Sequence, residues 1–213
     1  SKVSEYILNC RQMGIRILPP DINRSTGSFS VEDGSIRYGM AAVKGIGKPV
    51  MEAIVEERER GGLFSSLKDF CQRLSGKEVN KRTIENFIKA GAFDSFGGTR
   101  KQFMMIYVQV MDTVNQEKKS SMTGQMSLFD IMGEEDKKSF EIRLPDVGEY
   151  AKESKLAFEK EVLGVYISGH PLEEYADVWK KNITAATSDF YPMEESGLPK
   201  VRDGAKVIVG GMI

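Results

Sequence analysis

Two lysines flank a Gly-Ile-Gly turn in the stretch KGIGKP, and together these residues could bind a phosphate group. The glycines let the backbone turn tightly and approach another surface without a Cβ in the way. The helix expected after the turn presents unpaired N–H groups at its N-terminus, where the helix dipole favours an anion. Contacts of this kind hold the backbone of a duplex and read no base sequence. The candidate DNA-contact residues are Lys44, Gly45, Ile46, Gly47 and Lys48, with Ile46 as an anchor in the core.

Two helices must hold this turn in place. The sequence predicts a short helix that ends near Val43 and a second helix from Lys48 to about Arg60. Pro49 suits the first turn of the second helix, because its missing N–H would have no partner inside the helix anyway. The arrangement resembles the helix-hairpin-helix motif of DNA polymerases, ligases and repair proteins. A plain Gly-containing connection between two packed helices is the alternative.

A second helical pair follows, with a weaker signal. The stretch NKRTIENFIKA has the spacing of an amphipathic helix, and Gly91 after it suits a helix C-terminus. Thr99 and Gln102 have the spacing of a capping box at the start of the next helix. The turn lacks the Gly-x-Gly form, so contact with DNA and simple packing are equally supported. The second set of candidate DNA-contact residues is Gly91, Arg100 and Lys101.

The overall charge limits how the chain could hold DNA. Its 213 residues carry 30 Lys and Arg against 31 Asp and Glu, a formal net charge of −1. The chain therefore lacks the basic field that drives strong, salt-sensitive binding to nucleic acid, and any DNA contact must be local. Cys10 and Cys71 have neither metal-ligand nor disulfide spacing. Without a signal peptide or a long apolar span, we expect a cytoplasmic protein that makes no membrane contact.

The acidic residues and the single histidine give no sign of catalysis. Nucleotidyl transfer on metal ions needs closely placed carboxylates, and the sequence has no Asp-x-Asp pair. His170 precedes Pro171 at an expected helix start, without a nucleophile or metal ligand beside it, which favours a turn role. We therefore expect no catalytic residue, no metal site and no cofactor in this chain.

One segment sets two large apolar side chains among small, polar and charged residues. Between residues 118 and 140 the helical periodicity is lost, and Leu128 and Phe129 lie side by side within SSMTGQMSLFDIMGEED. This composition predicts a flexible linker. The two side chains could bind a partner. Alternatively, the segment could form a short helix on the chain's own surface, together with Ile131 and Met132.

The two ends of the sequence predict short β-structure. In SFSVEDGSIRYGM, alternating apolar residues on either side of Asp33-Gly34 predict a hairpin with a primed turn. Near the C-terminus, Val207 and Val209 alternate like the first strand of a sheet whose partners are missing. Because an unpaired edge strand is unusual and the sequence does not begin with Met, we expect the chain to be a fragment of a longer protein.

Six blocks of the sequence occur in an order that is more specific than any single motif. They are MGIRILPPDINRS, IRYGMAAVKGIG, FSSLKDFCQR, IKAGAFDSFG, QMSLF and EKEVLGVYISGHPLEEY. In this order they resemble the bacterial replicative DNA polymerase III alpha subunit family. The resemblance implies a mainly α fold, namely a tandem helix-hairpin-helix domain with a short N-terminal β-hairpin and a truncated C-terminal β-strand that begins an OB-fold. The implied domains are the end of the fingers domain with the β-hairpin over 1–36, the tandem helix-hairpin-helix DNA-binding domain over 37–117, the flexible linker with a clamp-binding peptide over 118–140, a helical connector over 141–200 and the start of the OB-fold over 201–213.

The resemblance also implies partners, and a role for the apolar pair. In this family a Gln-x-x-Leu-Phe peptide docks in a hydrophobic pocket on the ring-shaped sliding clamp. The resemblance further implies that the parent polymerase uses Mg²⁺ for nucleotidyl transfer and works with other replisome subunits, whereas this segment is non-catalytic. The residues that match the peptide are Gln125, Met126, Ser127, Leu128 and Phe129.

Two other functions stay open on the sequence. One is a helix-hairpin-helix scaffold of a DNA repair enzyme or ligase, in which QMSLF is an incidental linker, although the blocks LPPDIN and SGHPLEEY speak against it. The other is a helical protein-interaction module without a DNA role. That function would follow if alanine could replace Gly45 and Gly47 without loss of DNA binding.

Overall fold

The structure, a computed structural model, describes residues 2–74, 76, 79–123, 142–193 and 196–211. It divides into two compact units, residues 1–168 and residues 169–213. The described residues are mainly α-helical with one small sheet, as predicted. Among them, the helices of the larger unit are α1 (Lys2–Gln12), α2 (Lys48–Gly61), α3 (Leu67–Arg73), α4 (Lys81–Ala90), α5 (Arg100–Thr123) and α6 (Lys152–Leu163).

A small sheet precedes α2 in the chain. Its strands are β1 (Ile17–Leu18), β2 (Ser30–Glu32) and β3 (Ser35–Arg37), in the spatial order β1-β3-β2. Strands β2 and β3 are antiparallel and form the predicted hairpin, with Asp33 at φ 48° and Gly34 at φ 73°, as a primed turn requires. Strand β1 lies parallel to β3, and the sequence did not predict this pairing because local periodicity carries no sign of a distant partner.

The core of the larger unit forms where α3, α4 and α5 meet. Helix α4 presents the predicted apolar face of Ile84, Phe87 and Ile88, each at most 1% exposed. The ring of Phe70 from α3 lies 5.1 Å from the ring of Phe93, between centroids, in the edge-on arrangement that aromatic pairs favour. The apolar stripe read from the sequence of α4 is therefore confirmed.

Local capping sets both ends of α4 and the start of α5. The Asn80 side chain accepts a hydrogen bond from the N–H of Thr83, and Gly91 ends the helix at φ 82°. Thr99 and Gln102 form the predicted capping box, with hydrogen bonds of 2.9 and 3.1 Å. The predictions for Gly91 and for the Thr99–Gln102 capping box are confirmed, and the cap at Asn80 is an additional finding.

Helix α5 extends further than expected. It continues to Thr123, past residue 118, where the loss of periodicity placed the start of a linker. Glu117 is held on α3, because its carboxylate accepts hydrogen bonds from Lys68 Nζ at 3.1 Å and from Gln72 Nε2 at 3.0 Å. Polar residues with good helix propensity can continue a helix without an apolar face. Hydrophobic periodicity therefore placed the boundary too early.

Helix α6 packs against α4 within the larger unit. The connector predicted over 141–200 is thus divided between the two compact units. Leu156 and Val162, on the apolar face of α6, are 2% exposed each. The hydroxyl of Tyr38 donates a hydrogen bond to the carbonyl oxygen of Leu163 at 2.9 Å. The C-terminal end of α6 is thereby fixed to the chain just before the Gly-Ile-Gly turn.

The described part of the smaller unit contains helix α7 (Ala176–Asn182) and two short 3-10 turns. Near its start, Nδ1 of His170 accepts a hydrogen bond from the N–H of Leu172 at 3.1 Å. This is the local turn role that the sequence favoured for the histidine.

The strand predicted at Val207 and Val209 is not formed in the described residues of the smaller unit. Ile208, which lies between them, forms two hydrogen bonds with Thr184. Its carbonyl oxygen accepts from the N–H of Thr184 at 2.9 Å, and its N–H donates to Oγ1 of Thr184 at 2.8 Å. A strand needs a ladder of such pairs along several residues. A single paired residue leaves the segment extended but outside any sheet.

Candidate nucleic-acid interface

The Gly-Ile-Gly turn connects a short 3-10 turn to α2. The chain before it forms only the 3-10 turn Met40–Ala42, and Val43 follows in an extended conformation, so the first predicted helix is confined to one turn. Ile46 is 7% exposed and anchors the turn in the core, as predicted. Lys44 and Lys48 are exposed on either side of it. The turn therefore presents two cations from a fixed base.

The backbone of Lys44 is held by two other helices. Its N–H donates a hydrogen bond to the carbonyl oxygen of Val162, in the last turn of α6, at 2.8 Å. Its carbonyl oxygen accepts a hydrogen bond from Nδ2 of Asn86, on α4, also at 2.8 Å. Both the N–H and the carbonyl of Lys44 are used, so the side chain starts from a backbone position that α4 and α6 determine.

The two glycines of the turn have different roles. Gly45 adopts φ 76°, in the left-handed region that favours glycine, and a Cβ there would lie 3.1 Å from Nδ2 of Asn86. Gly47 has φ −79° and is the N-cap residue of α2, where a Cβ would meet Cδ of Pro49 at an ordinary 3.5 Å. The conformation of the turn therefore requires glycine at position 45 and tolerates other residues at position 47.

The N-terminus of α2 differs from those of α3 and α4, the next two helices along the chain. Ser66 caps α3 and Asn80 caps α4, each by accepting a hydrogen bond from a backbone N–H. Gly47 has no side chain, and in the described structure no side chain caps the start of α2. The first-turn N–H groups of α2 are therefore available to an external anion, at the positive end of the helix dipole.

Acidic residues reduce the positive charge around the turn. Nζ of Lys48 lies 3.4 Å from Oε1 of Glu52, and the two side chains are 78% and 60% exposed. An exposed pair of this kind contributes about 0–1 kcal/mol, so a phosphate can compete with Glu52 for the lysine. Glu56 and Glu59 are exposed further along α2. These carboxylates oppose long-range attraction of an anion, so the turn can attract a phosphate only at short range.

The second predicted DNA-contact site, at Gly91 and Arg100, is buried inside the larger unit. Arg100 is 2% exposed, and its guanidinium group donates hydrogen bonds to Asp94, to Glu159 and to the carbonyl oxygen of Lys89. Gly91 is buried, and a Cβ there would lie 2.2 Å from Nη2 of Arg100. The structure corrects the prediction for both residues, because a buried and fully engaged guanidinium group does not reach a phosphate. Gly91 and Arg100 pack inside the larger unit.

Glu149 occupies the N-terminus of α5. Its carboxylate accepts hydrogen bonds from the backbone N–H groups of Arg100 and Lys101, at 3.2 Å each, and of Tyr150 at 2.8 Å. Burial raises the pKa of Glu149, but the backbone hydrogen bonds outweigh this effect and hold the pKa below its ordinary value. The anion at this helix end is thus a carboxylate of the chain. Lys101, which is half-buried, has only its side chain left for a DNA contact.

Comparison with known families supports the first hairpin. Residues 14–103 match the model of a family described as a helix-hairpin-helix motif. This span contains the Gly-Ile-Gly turn, α2, α3, α4 and the start of α5. The helix-hairpin-helix prediction is therefore confirmed.

Individual proteins match nearly the whole chain. The DNA polymerase III subunit alpha of Deinococcus radiodurans is 40% identical over 174 residues, which cover 82% of this chain and 13% of that protein. Those of Mycobacterium leprae and Escherichia coli O6:H1 are 35% and 34% identical, each over 100% of this chain and 17% and 18% of the relative. The chain belongs to the DNA polymerase III alpha subunit family. It spans less than a fifth of the length of these relatives.

In this member of the DNA polymerase III alpha subunit family, three residues that the sequence analysis did not identify hold the candidate interface in place. Asn86 and Val162 hold the backbone of Lys44, and Glu149 closes the N-terminus of α5. Asn86 carries a signal that sequence reasoning could have used, because it is a polar residue within the apolar face of α4. Val162 contributes only its backbone carbonyl, which any residue type could supply. Glu149 accepts a hydrogen bond from Arg100, which lies 49 residues earlier in the sequence. Neither role could be recognised from the neighbouring residues.

The remaining sequence predictions concern metal ligands, membrane contact, the cysteines and the clamp-binding residues. Within the described ranges, no group of three or more His, Cys, Asp or Glu residues could hold a metal ion, and no helix is both long and apolar enough to cross a membrane. Cys10 and Cys71 are free thiols. The residues predicted to bind the clamp lie outside the described residues, and they are Gln125, Met126, Ser127, Leu128 and Phe129.

Proposed function

We propose that this chain holds the sugar-phosphate backbone of duplex DNA at the turn 44–48, without reading base sequence, as part of a bacterial replicative polymerase in the cytoplasm. The observation that carries the proposal is the uncapped N-terminus of α2 between two exposed lysines. The N–H groups and dipole of α2 favour a phosphate there, and Lys44 and Lys48 add charge on either side of it. Nucleotidyl transfer on Mg²⁺ belongs to other parts of the polymerase, and this part is non-catalytic.

The contact is one of several that such a polymerase makes with DNA. Affinity for the DNA backbone grows with the number of phosphates that Lys and Arg neutralise. One turn with two lysines, on a chain of net charge −1, supplies few such contacts. We therefore expect weak binding by this chain alone, and a larger effect when the remaining domains of the polymerase hold the same duplex.

We further propose that the residues between α5 and α6 bind the sliding clamp through the peptide Gln125–Phe129. The support is the match to the Gln-x-x-Leu-Phe pattern in a chain of the DNA polymerase III alpha subunit family. Burial of Leu128 and Phe129 in a partner contributes about 1.5–3 kcal/mol each. Ordering the peptide on the clamp opposes binding, and tethering to a polymerase already on DNA raises its effective concentration.

The DNA contact is tested by fluorescence anisotropy with a short labelled duplex over a range of salt concentrations. The native chain is compared with Lys44→Ala/Lys48→Ala and with the charge-matched control Lys180→Ala/Lys181→Ala, whose lysines are exposed on α7. Loss of the turn lysines should weaken binding and lower the slope of log K against log salt by about 0.9 for each lost phosphate contact. Equal losses in both double variants would show that only net charge matters and would refute the proposal.

The clamp contact is tested with the purified bacterial sliding clamp. Leu128→Ala/Phe129→Ala should abolish binding, while the neighbouring control Ile131→Ala/Met132→Ala should leave most of it. If both double variants bind the clamp like the native chain, the peptide has another role and the clamp proposal fails.

A further inference from the structure

Asn86 is a polar residue on the apolar side of α4. Its neighbours Ile84, Phe87 and Ile88 are at most 1% exposed, and Asn86 itself is 7% exposed. A buried amide costs stability unless it is hydrogen-bonded. Nδ2 of Asn86 donates to the carbonyl oxygen of Lys44, which lies 42 residues away in the sequence. The buried amide therefore connects the core of the larger unit to the turn that we propose to contact DNA.

We propose that Asn86 is a positioning residue for DNA binding, which fixes the peptide between Lys44 and Gly45 and so directs the Lys44 side chain and the start of α2 toward a phosphate. This inference rests on the proposed DNA contact and names a residue on which that contact depends. Gly45 has φ 76°, and the carbonyl oxygen of the peptide that precedes it accepts the Asn86 hydrogen bond from α4.

Two observations support this role. The Asn86 amide lies directly over the turn, since a Cβ on Gly45 would lie 3.1 Å from Nδ2. The N–H of Lys44 is fixed on its other side by the carbonyl oxygen of Val162. With both sides anchored, the Lys44 backbone loses little further freedom when DNA binds, and such preorganisation favours affinity.

The variants must separate positioning from stability. Asn86→Leu removes the donor without adding a charge that would repel DNA, and Asn86→Ala removes it with a smaller side chain in case leucine does not fit. The matched control is Ile84→Val, on the same helix, where Ile84 is 0% exposed. It removes a buried methylene and lowers stability without touching the turn. Circular dichroism melting establishes that each variant is folded at the temperature of the binding assay.

The experiment measures binding of the labelled duplex by the whole 213-residue chain over a range of salt. Each Asn86 variant should bind several-fold more weakly and lower the slope of log K against log salt by about 0.9, the value for one phosphate contact. Ile84→Val should change neither quantity. In the Asn86→Leu background, Lys44→Ala should cause little further loss, because a misdirected Lys44 no longer contributes.

The outcomes separate this inference from the proposal on which it rests. If the Asn86 variants keep native affinity and slope while Lys44→Ala/Lys48→Ala loses both, the DNA contact stands and the positioning role is refuted. If Ile84→Val loses as much as the Asn86 variants at equal loss of melting temperature, the effect is general destabilisation and the positioning role is again refuted. If the native chain binds without any dependence on Lys44 and Lys48, the proposed function fails and the inference fails with it.

Discussion

The carboxylate of Glu159 lies 3.2 Å from Nη1 of Arg100, and the two side chains are 0% and 3% exposed. The other carboxylate oxygen of Glu159 accepts hydrogen bonds from the N–H groups of Ile167 and Ser168, at 2.8 and 3.0 Å. The guanidinium group of Arg100 also bonds to Asp94. This buried ion pair joins the start of α5 to α6 with its polar atoms satisfied.

Arg100→Met should therefore destabilise the fold strongly. Removal of one partner from a buried ion pair leaves an uncompensated charge and lowers the free energy of unfolding by about 3–5 kcal/mol. Urea unfolding followed by circular dichroism measures the change. Lys101→Met, at the next position of the same helix, is the control and should stay within about 0.5 kcal/mol of the native chain. Similar small losses in both variants would contradict a structural role for Arg100.

Alanine should have unequal effects at the two glycines of the turn. Gly45→Ala places a Cβ on a residue at φ 76°, which costs about 1–2 kcal/mol, and crowds Asn86. Gly47→Ala, at an extended N-cap position, should cost only about 0.5 kcal/mol. The difference is measured as the change in the free energy of unfolding in urea. Equal costs at the two positions would mean that the turn has another conformation in solution.

The β-hairpin should lose stability in acid through Glu32. Hydrogen bonds from Arg37 and Arg24 hold the pKa of Glu32 at about 2, below its ordinary value of 4.5. Because the pKa is lower in the folded state, the stabilisation is fully present above pH 4.5 and is lost as the pH falls toward about 2. An NMR titration of the side-chain carboxyl carbon measures the pKa directly.

The control for this pH dependence is Glu32→Gln, which has no carboxylate at this position. The native chain should lose stability more steeply than this variant between pH 4.5 and about 2. A titration midpoint near 4.5 for Glu32 would contradict the hydrogen bonds seen between Glu32 and the two arginines.

Features that depend on neighbouring residues could be predicted from the sequence. The helix end at Gly91 and the Thr99–Gln102 capping box involve residues at most a few positions apart. The primed turn at Asp33-Gly34 is likewise local, since both residues tolerate positive φ. The location of the Gly-Ile-Gly turn followed from the same kind of signal.

Features that depend on distant partners could not be predicted. Arg100 is a cation at a helix start, which is typical of a DNA-contact residue. Its buried partner Glu159 lies 59 residues later, so the neighbouring sequence does not indicate that Arg100 is buried. The polar Asn86 stands out within the apolar face of α4, but the sequence does not identify its partner Lys44, which lies 42 residues away. The C-terminal alternation at Val207 and Val209 has the period of a strand, but strand formation needs a neighbour with a matching ladder. The local pattern of residue types therefore predicts a helix or a strand, whereas the function of a side chain within it depends on contacts with residues far away in the sequence.

The hydrogen bond between the Tyr38 hydroxyl and the carbonyl of Leu163 joins residues 125 positions apart, and the bond from Lys44 to Val162 lies beside it. Synthesis on the ribosome delivers the N-terminal part of a chain first. The Gly-Ile-Gly turn therefore emerges long before the helix end that completes it. A nascent chain interrupted between α5 and α6 would have the complete sequence of the turn but would lack the partner for the Lys44 N–H. The hydrogen bond to the Lys44 N–H can thus form only after the end of α6 has been synthesised.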